Sequence, residues 1–246
     1  MKKTILKLLS CASLILFIGL CSCTKTNSIG TNDSAKTTTD SETSPASAIM
    51  KPATATSIGQ SAFSLWGSCS DMPYLISGTN GICVPSGNGG CGSDYLGAQQ
   101  SSGQSATGMQ FYGCFKGGSN APDGSNEMAV FICTDVTNWV GHEMGFIKTL
   151  NDNTLKMYVQ GNGNYNYKVV PSAYNDNGYH TFKCQVESAD HSNVDFYIDG
   201  NYINTVSNSG VDYWNGFYYF VGTTHRTSDG WSSAGQQIEM YDMTIF

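Results

Sequence analysis

His180-Thr181-Phe182-Lys183-Cys184-Gln185-Val186, then Val194-Asp195-Phe196-Tyr197-Ile198-Asp199-Gly200-Asn201, is the part of the sequence that sets the architecture. Phe182, Cys184 and Val186 alternate with Lys183 and Gln185. Val194, Phe196 and Ile198 alternate with Asp195, Tyr197 and Asp199. A period of two sends successive side chains to opposite faces, so each run has one apolar and one polar face, as an antiparallel strand requires. Asp199-Gly200-Asn201 leads straight into a further run, Tyr202–Val206. An Asp-Gly pair supplies the positive φ angles of a tight primed turn and marks a hairpin.

The same texture extends both ways. Strands are predicted near Ala62–Gly67, Pro73–Ser77, Gly108–Phe115, Glu127–Cys133, His142–Lys148 and Thr154–Gln160. Others are predicted near Tyr165–Val170, His180–Glu187, Val194–Asp199, Tyr202–Val206, Phe217–Gly222 and Gln237–Phe246. Leu155, Met157 and Val159 oppose Lys156, Tyr158 and Gln160, and Asn151-Asp152-Asn153 joins that run to the preceding one as a second hairpin. No helix of ten residues is expected after the leader. A dozen short strands indicate an all-β fold, an antiparallel two-sheet β-sandwich or jelly roll over residues 60–246. Composition agrees: of 246 residues only 13% are charged, 12% are aromatic and 28 are Gly. Such a chain is neither a coiled coil nor fully disordered. The net charge is −7 and Arg226 is the single Arg, which excludes a nucleic-acid binder that must meet phosphates with clustered cations.

The His-Thr strand, the short turn and the Phe-Tyr-Ile-Asp-Gly hairpin resemble the concanavalin A-like lectin/glucanase superfamily, including its laminin-G-like modules and jelly-roll glycosidases and lyases. Ile238-Glu239-Met240-Tyr241-Asp242-Met243-Thr244-Ile245-Phe246 resembles the closing strand of these folds. The resemblance implies a concanavalin A-like sandwich. It leaves function open, since sugar binders, hydrolases, lyases and adhesion modules share this fold.

The amino terminus reads as an address. Lys2, Lys3 and Lys7 precede an uncharged, mostly apolar run, Leu8 to Leu20, too short to span a bilayer as a mature helix. Leu20-Cys21-Ser22-Cys23 resembles a bacterial lipobox, which makes residues 1–22 a lipoprotein signal peptide and Cys23 the lipidated residue. Cleavage there leaves nine basic against nineteen acidic residues, a mature charge of −10. That surface repels anionic polymers and membranes at long range, so the lipid alone makes the membrane contact. Residues 23–59 read as a disordered linker: Thr24 to Gly59 hold 15 Ser or Thr and no aromatic residue. As a flexible coil this segment spans about 30–36 Å. The expected location is the bacterial cell envelope, lipid-anchored, at the surface or in the periplasm.

Six cysteines follow Cys23: Cys69, Cys83, Cys91, Cys114, Cys133 and Cys184. In an exported chain an even number reads as disulfides. Cys83 and Cys91 bracket a short Gly-containing loop and form the preferred pair. Cys184, on an apolar strand face, is the candidate for a free buried thiol. No metal site is expected from Cys and His spacing. Calcium is a candidate ion at the oxygen-rich loops Asn151-Asp152-Asn153, Asn175-Asp176-Asn177 and Asp190-His191-Ser192-Asn193, although Asx-rich turns account for the same residues.

Three functions are weighed. The first is a lectin-like module whose partner is a neutral polysaccharide. Aromatic platforms and planar polar groups recognise sugars, which singles out Trp139, Tyr158, Gln160, His225, Arg226 and Trp231. Trp231, Arg226 and His225 are expected in one loop. The second is a glycan-degrading enzyme of the same fold. The family-sixteen glucanases that share it carry E-x-D-x-x-E or E-x-D-x-E on one strand, and neither occurs here; Glu127, Glu143 and His225 are the alternative catalytic candidates. Of the lyase pattern only fragments such as Tyr158, Gln160, His225 and Arg226 are present. The third is a structural or adhesion module. No catalytic residue is assigned under the preferred reading.

Overall fold

A computed structural model describes residues 55–67, 72–85, 94–117, 127–135, 141–150, 152–209, 211–213, 217–226 and 237–246. Fifteen strands are present among them. They are β1 (Thr56–Ser57), β2 (Phe63–Trp66), β3 (Tyr74–Ile76), β4 (Gly81–Pro85), β5 (Asp94–Gln100), β6 (Gly108–Lys116), β7 (Glu127–Cys133) and β8 (Glu143–Thr149). These are followed by β9 (Thr154–Gly161), β10 (Asn164–Val169), β11 (His180–Val186), β12 (Asn193–Ile198), β13 (Asn201–Ser207), β14 (Tyr219–Arg226) and β15 (Gln237–Ile245). Among the described residues helix is confined to two three-residue 3-10 turns, Gln60–Ala62 and Ser172–Tyr174.

Sheet I runs β13-β12-β11-β6-β15-β4-β3, with β1 also paired to β15. Sheet II runs β10-β9-β8-β7-β14-β5-β2. Every pairing is antiparallel. The expected all-β sandwich is the observed fold.

Alternation builds the core. Leu155, Met157 and Val159 point inward from β9, as do Phe182, Cys184 and Val186 from β11 and Val194, Phe196 and Ile198 from β12; all are buried. Aromatic rings from both sheets interlock between them. Phe111 stacks on Phe182 at 5.1 Å, and Phe146 meets Phe182 edge-on at 5.0 Å and Phe196 at 5.3 Å. Each fully buried Phe contributes about 1.5–3 kcal/mol. One inward residue breaks the apolar pattern. Lys148 is fully buried at the end of β8 and donates to the Phe115 carbonyl at 3.0 Å and to Asn177 Oδ1 at 2.7 Å, tying sheet II to sheet I. Burial lowers its pKa to about 8.

The turns obey the sequence. Asp199 and Gly200 take φ of 52° and 78° and pair Ile198 with Asn201 across a two-residue hairpin. Asn153, at φ 52°, closes the β8–β9 connection. Asn162 and Gly163, at 50° and 77°, make a further hairpin between β9 and β10.

Four expectations are corrected. The fold begins before residue 60, because β1 pairs with β15 and Ile58 is buried beside it. Two strands, β4 and β5, escaped the sequence reading. β14 runs through to Arg226, so His225 and Arg226 stand on a strand instead of in a loop. The expected Cys83–Cys91 disulfide is not formed: Cys83, Cys114, Cys133 and Cys184 are all free and buried. The reason is their placement in sheet interiors. Cys83 and Cys114, for instance, lie opposite Glu239 from either side, two strand spacings apart, roughly 9.6 Å at 4.8 Å per spacing and beyond disulfide reach. Cys184 is the free buried thiol expected. Cys23, Cys69 and Cys91 lie outside the described residues.

Candidate functional site

The outward-facing side chains of sheet II form a groove of about 460 Å³. Its lining comes from five neighbouring strands: Glu127, Ala129 and Phe131 on β7, Glu143, Ile147 and Thr149 on β8, Lys156, Tyr158 and Gln160 on β9, Tyr165 on β10 and Thr223 on β14. The period of two that sends Leu155, Met157 and Val159 into the core sends Lys156, Tyr158 and Gln160 here. The floor is apolar: Ala129, Phe131, Ile147, Tyr158 and Val221 pack together, with Tyr219 against them. The wall is aromatic. Tyr158 and Tyr165 lie 5.5 Å apart, Tyr165 and Tyr167 5.7 Å, and the Lys156 ammonium sits 4.9 Å from the centre of the Tyr167 ring. Beyond Thr223 the face continues onto Gly97, where a Cβ would strike the Trp66 indole at 2.3 Å.

Two carboxyl groups line this groove, as the sequence left open. The strands carrying them are neighbours, yet the register pairs Glu127 with Thr149 and Glu143 with Cys133. Six residue positions therefore separate them along the strands, about 20 Å between Cα levels. That backbone spacing does not bring two carboxyls to the ~5–5.5 Å of a retaining glycosidase. Nor does either strand hold a second outward carboxylate: β8 reads Glu143-Met144-Gly145-Phe146-Ile147. Gly145 leaves no room for one, since a Cβ there would lie 2.2 Å from the Val130 carbonyl oxygen and 2.6 Å from the Phe131 Cα.

Burial governs the charges. It raises the pKa of Glu143 to about 7 against the pull of the Tyr158 hydroxyl, which donates to Glu143 Oε2 at 3.4 Å. Burial also raises Glu127, partly offset by Lys156. The Tyr158 phenol, itself 3% exposed, is raised well above its usual value by burial first and by the Glu143 charge second.

The structure brings together Tyr158, Gln160, Glu127 and Glu143 among the residues singled out from sequence. His225 pairs directly with Glu127 across β14 and β7 and so stands beside the groove's far end. Arg226 is the last residue of β14. Trp139 and Trp231 lie outside the described residues. Sequence reasoning missed Phe131, Lys156, Tyr165, Thr223 and Trp66. The alternation Tyr165-Asn166-Tyr167 one hairpin after Tyr158 was the available signal for the wall.

The oxygen-rich loops use their carboxylates as turn acceptors. Asp152 accepts from the Thr149 hydroxyl and the Thr154 amide, Asp176 from the Gly178 amide, and Asp190 from the Ser192 amide and hydroxyl. Among the described residues no three His, Cys, Asp or Glu gather as metal ligands.

Two seven-strand paths packed face to face, with an aromatic groove on the outside of one, define the concanavalin A-like jelly roll, and the chain has this fold. No protein-family model matches the sequence. No curated protein matches it either. Solved structures do. The mixed-linkage glucan glycoside hydrolase family 16 protein of Bacteroides ovatus, in complex with its product, aligns with a TM-score of 0.53 and 10% identity over 76% of this chain and 95% of its own. The laminarinase of Flavobacterium sp. UMI-01 gives 0.54 and 10% over 77% and 94%. The potassium-bound carbohydrate recognition domain of Emp46p gives 0.50 and 11% over 76% and 88%.

Proposed function

We propose that this domain binds a neutral polysaccharide in the groove on sheet II, and that the chain is held in a bacterial envelope by lipid on Cys23. One observation carries the sugar reading: the groove combines an aromatic wall with scattered planar and hydroxyl groups, and has one carboxyl at each end instead of a facing pair. Tyr158 and Tyr165 offer faces to the apolar side of a sugar ring; Gln160 offers donors and an acceptor to its hydroxyls, and Thr149 and Thr223, whose protons go to Asp152 and the Leu96 carbonyl, offer acceptors. Structures of this fold include glucan-degrading enzymes and a carbohydrate recognition domain alike, which is consistent with a glycan and silent on catalysis. Affinity electrophoresis in barley mixed-linkage β-glucan and in laminarin tests it. Retention is expected for the wild type, and Tyr165→Ala is expected to weaken it about five- to thirtyfold, roughly 1–2 kcal/mol of lost aromatic contact. Equal retention of the two proteins would overturn the site.

The enzyme reading keeps one observation in its favour: a buried Glu143 with a pKa near neutrality suits a general acid. It requires that the wild type release reducing ends or unsaturated uronates and that Glu143→Gln abolish the release. Binding without release is the outcome expected.

A further inference from the structure

We propose that Glu143 meets the sugar as an uncharged carboxylic acid donating a hydrogen bond into the groove, so that the site holds its glycan at neutral to acid pH and releases it as the medium turns alkaline. The inference rests on the groove being the glycan site and adds how that site is controlled.

The geometry comes first. Glu143 is 7% exposed, and what remains open is the groove it lines. The Tyr158 hydroxyl occupies Oε2 as a donor, which leaves Oε1 to carry a proton toward a ligand. Among the described residues no cation acts on its charge. From β7 the carboxyl faces Cys133, its register partner, and more distantly Glu127, a like charge; from β9 it faces Tyr158 and Gln160; from β10, Tyr165. Lys156 is the one cationic residue among the described residues that line the groove. It sits four positions from Gln160 along β9, with its ammonium over the Tyr167 ring, and it acts on Glu127. At the far end His225 is the register partner of Glu127 across β14 and β7.

A carboxylate in this setting has water in the groove as its main support. A sugar filling the groove removes that water, and a desolvated charge with no counter-ion is disfavoured far more than the neutral acid. Burial, against the Tyr158 bond and with a smaller push from the Glu127 charge, has already brought Glu143 to a pKa of about 7. Covering the groove raises it further, and by linkage the protonated protein binds more tightly. The neutral acid also gains a use: its O–H donates to a ring or hydroxyl oxygen of the ligand, while Oε2 keeps the Tyr158 bond.

The test uses the mature chain and barley mixed-linkage β-glucan, which titrates nowhere in the range, from pH 5.5 to 9. The wild-type dissociation constant is expected to be flat below pH 7 and to rise about tenfold per pH unit above it. Glu143→Gln, neutral at every pH, is expected to lose the slope: its dissociation constant, whatever its value at pH 5.5, stays flat to pH 9. Tyr158→Phe removes the hydroxyl that favours the ionised form, so its break is expected at higher pH than in the wild type. A flat wild-type profile with intact binding, or the same slope in Glu143→Gln, overturns the protonation mechanism and leaves the glycan site standing. Absence of binding at every pH overturns the site itself, and this mechanism with it.

Discussion

His180 opens β11 with its ring held between two carboxylates: Nδ1 lies 2.7 Å from Asp199 Oδ2 and Nε2 3.1 Å from Asp176 Oδ1. Burial opposes its charge, but the bonds to Asp199 and Asp176 outweigh it and the pKa is raised. A raised folded pKa gives stability that is fully present below the unfolded value, about 6.5, and is lost as pH climbs through the folded value. Asp199→Asn is therefore expected to cost about 1–2 kcal/mol at pH 5.5 and less at pH 8.5, read by urea unfolding at both. Glu239 titrates in the opposite sense. Burial works against its charge, yet Lys116 at 2.7 Å, the hydroxyls of Tyr179 and Tyr241, and Gln237 bring its pKa to about 2. Its contribution is present above the unfolded carboxylate value and fades as pH falls from there toward 2. Glu239→Gln is expected to lower stability by about 2–3 kcal/mol at pH 7 and to differ little from the wild type near pH 2, by the same measurement. Neither cluster was legible in sequence. Asp199 was visible as a turn former and Glu239 as a strand residue, but the sites are assembled from residues up to 123 positions apart.

At the scale of elements, β8 shows how one small residue fixes a surface. Gly145 lets β7 and β8 approach where any side chain would press on the Val130 carbonyl. Gly145→Ala is expected to cost about 1–3 kcal/mol through overpacking, measured by chemical denaturation, and to shift the Glu143 carboxyl and Phe131 beside it. Strands that alternate strictly, such as β9, β11 and β12, could be read directly because one face is core and the other is not. β4 and β5 could not. In β5, Leu96 and Ala98 point inward, but Gln100 is also buried and Gly97 breaks the outward set, so no clean period survives. The groove was half legible for the same reason. Tyr158 and Gln160 followed from alternation on β9, whereas the placement of β10, β7 and β14 around them depends on strand order, which periodicity does not encode.

For the whole molecule, the anchoring proposal is the simplest to break. Cys23→Ala is expected to leave the chain unprocessed or to release it to the soluble fraction on cell fractionation; a lipidated mutant that still sediments with membranes would refute it. The domain itself asks nothing of an oxidising compartment at the four cysteines seen buried and reduced. What it does ask concerns order in time. β15, residues Gln237–Ile245, lies inside sheet I between β6 and β4 and also receives β1. Those three partners leave the ribosome more than a hundred residues earlier, and the pairings that bind them are among the most non-local in the fold. Such contacts form late, after the entropy of closing long loops has been met. Until β15 emerges, sheet I is three unjoined pieces with open edges, β13-β12-β11-β6, β4-β3 and β1, and the domain has no complete structure to fall into. A protein wired in this way stays threadable until β15 has been made, and becomes a solid object only then.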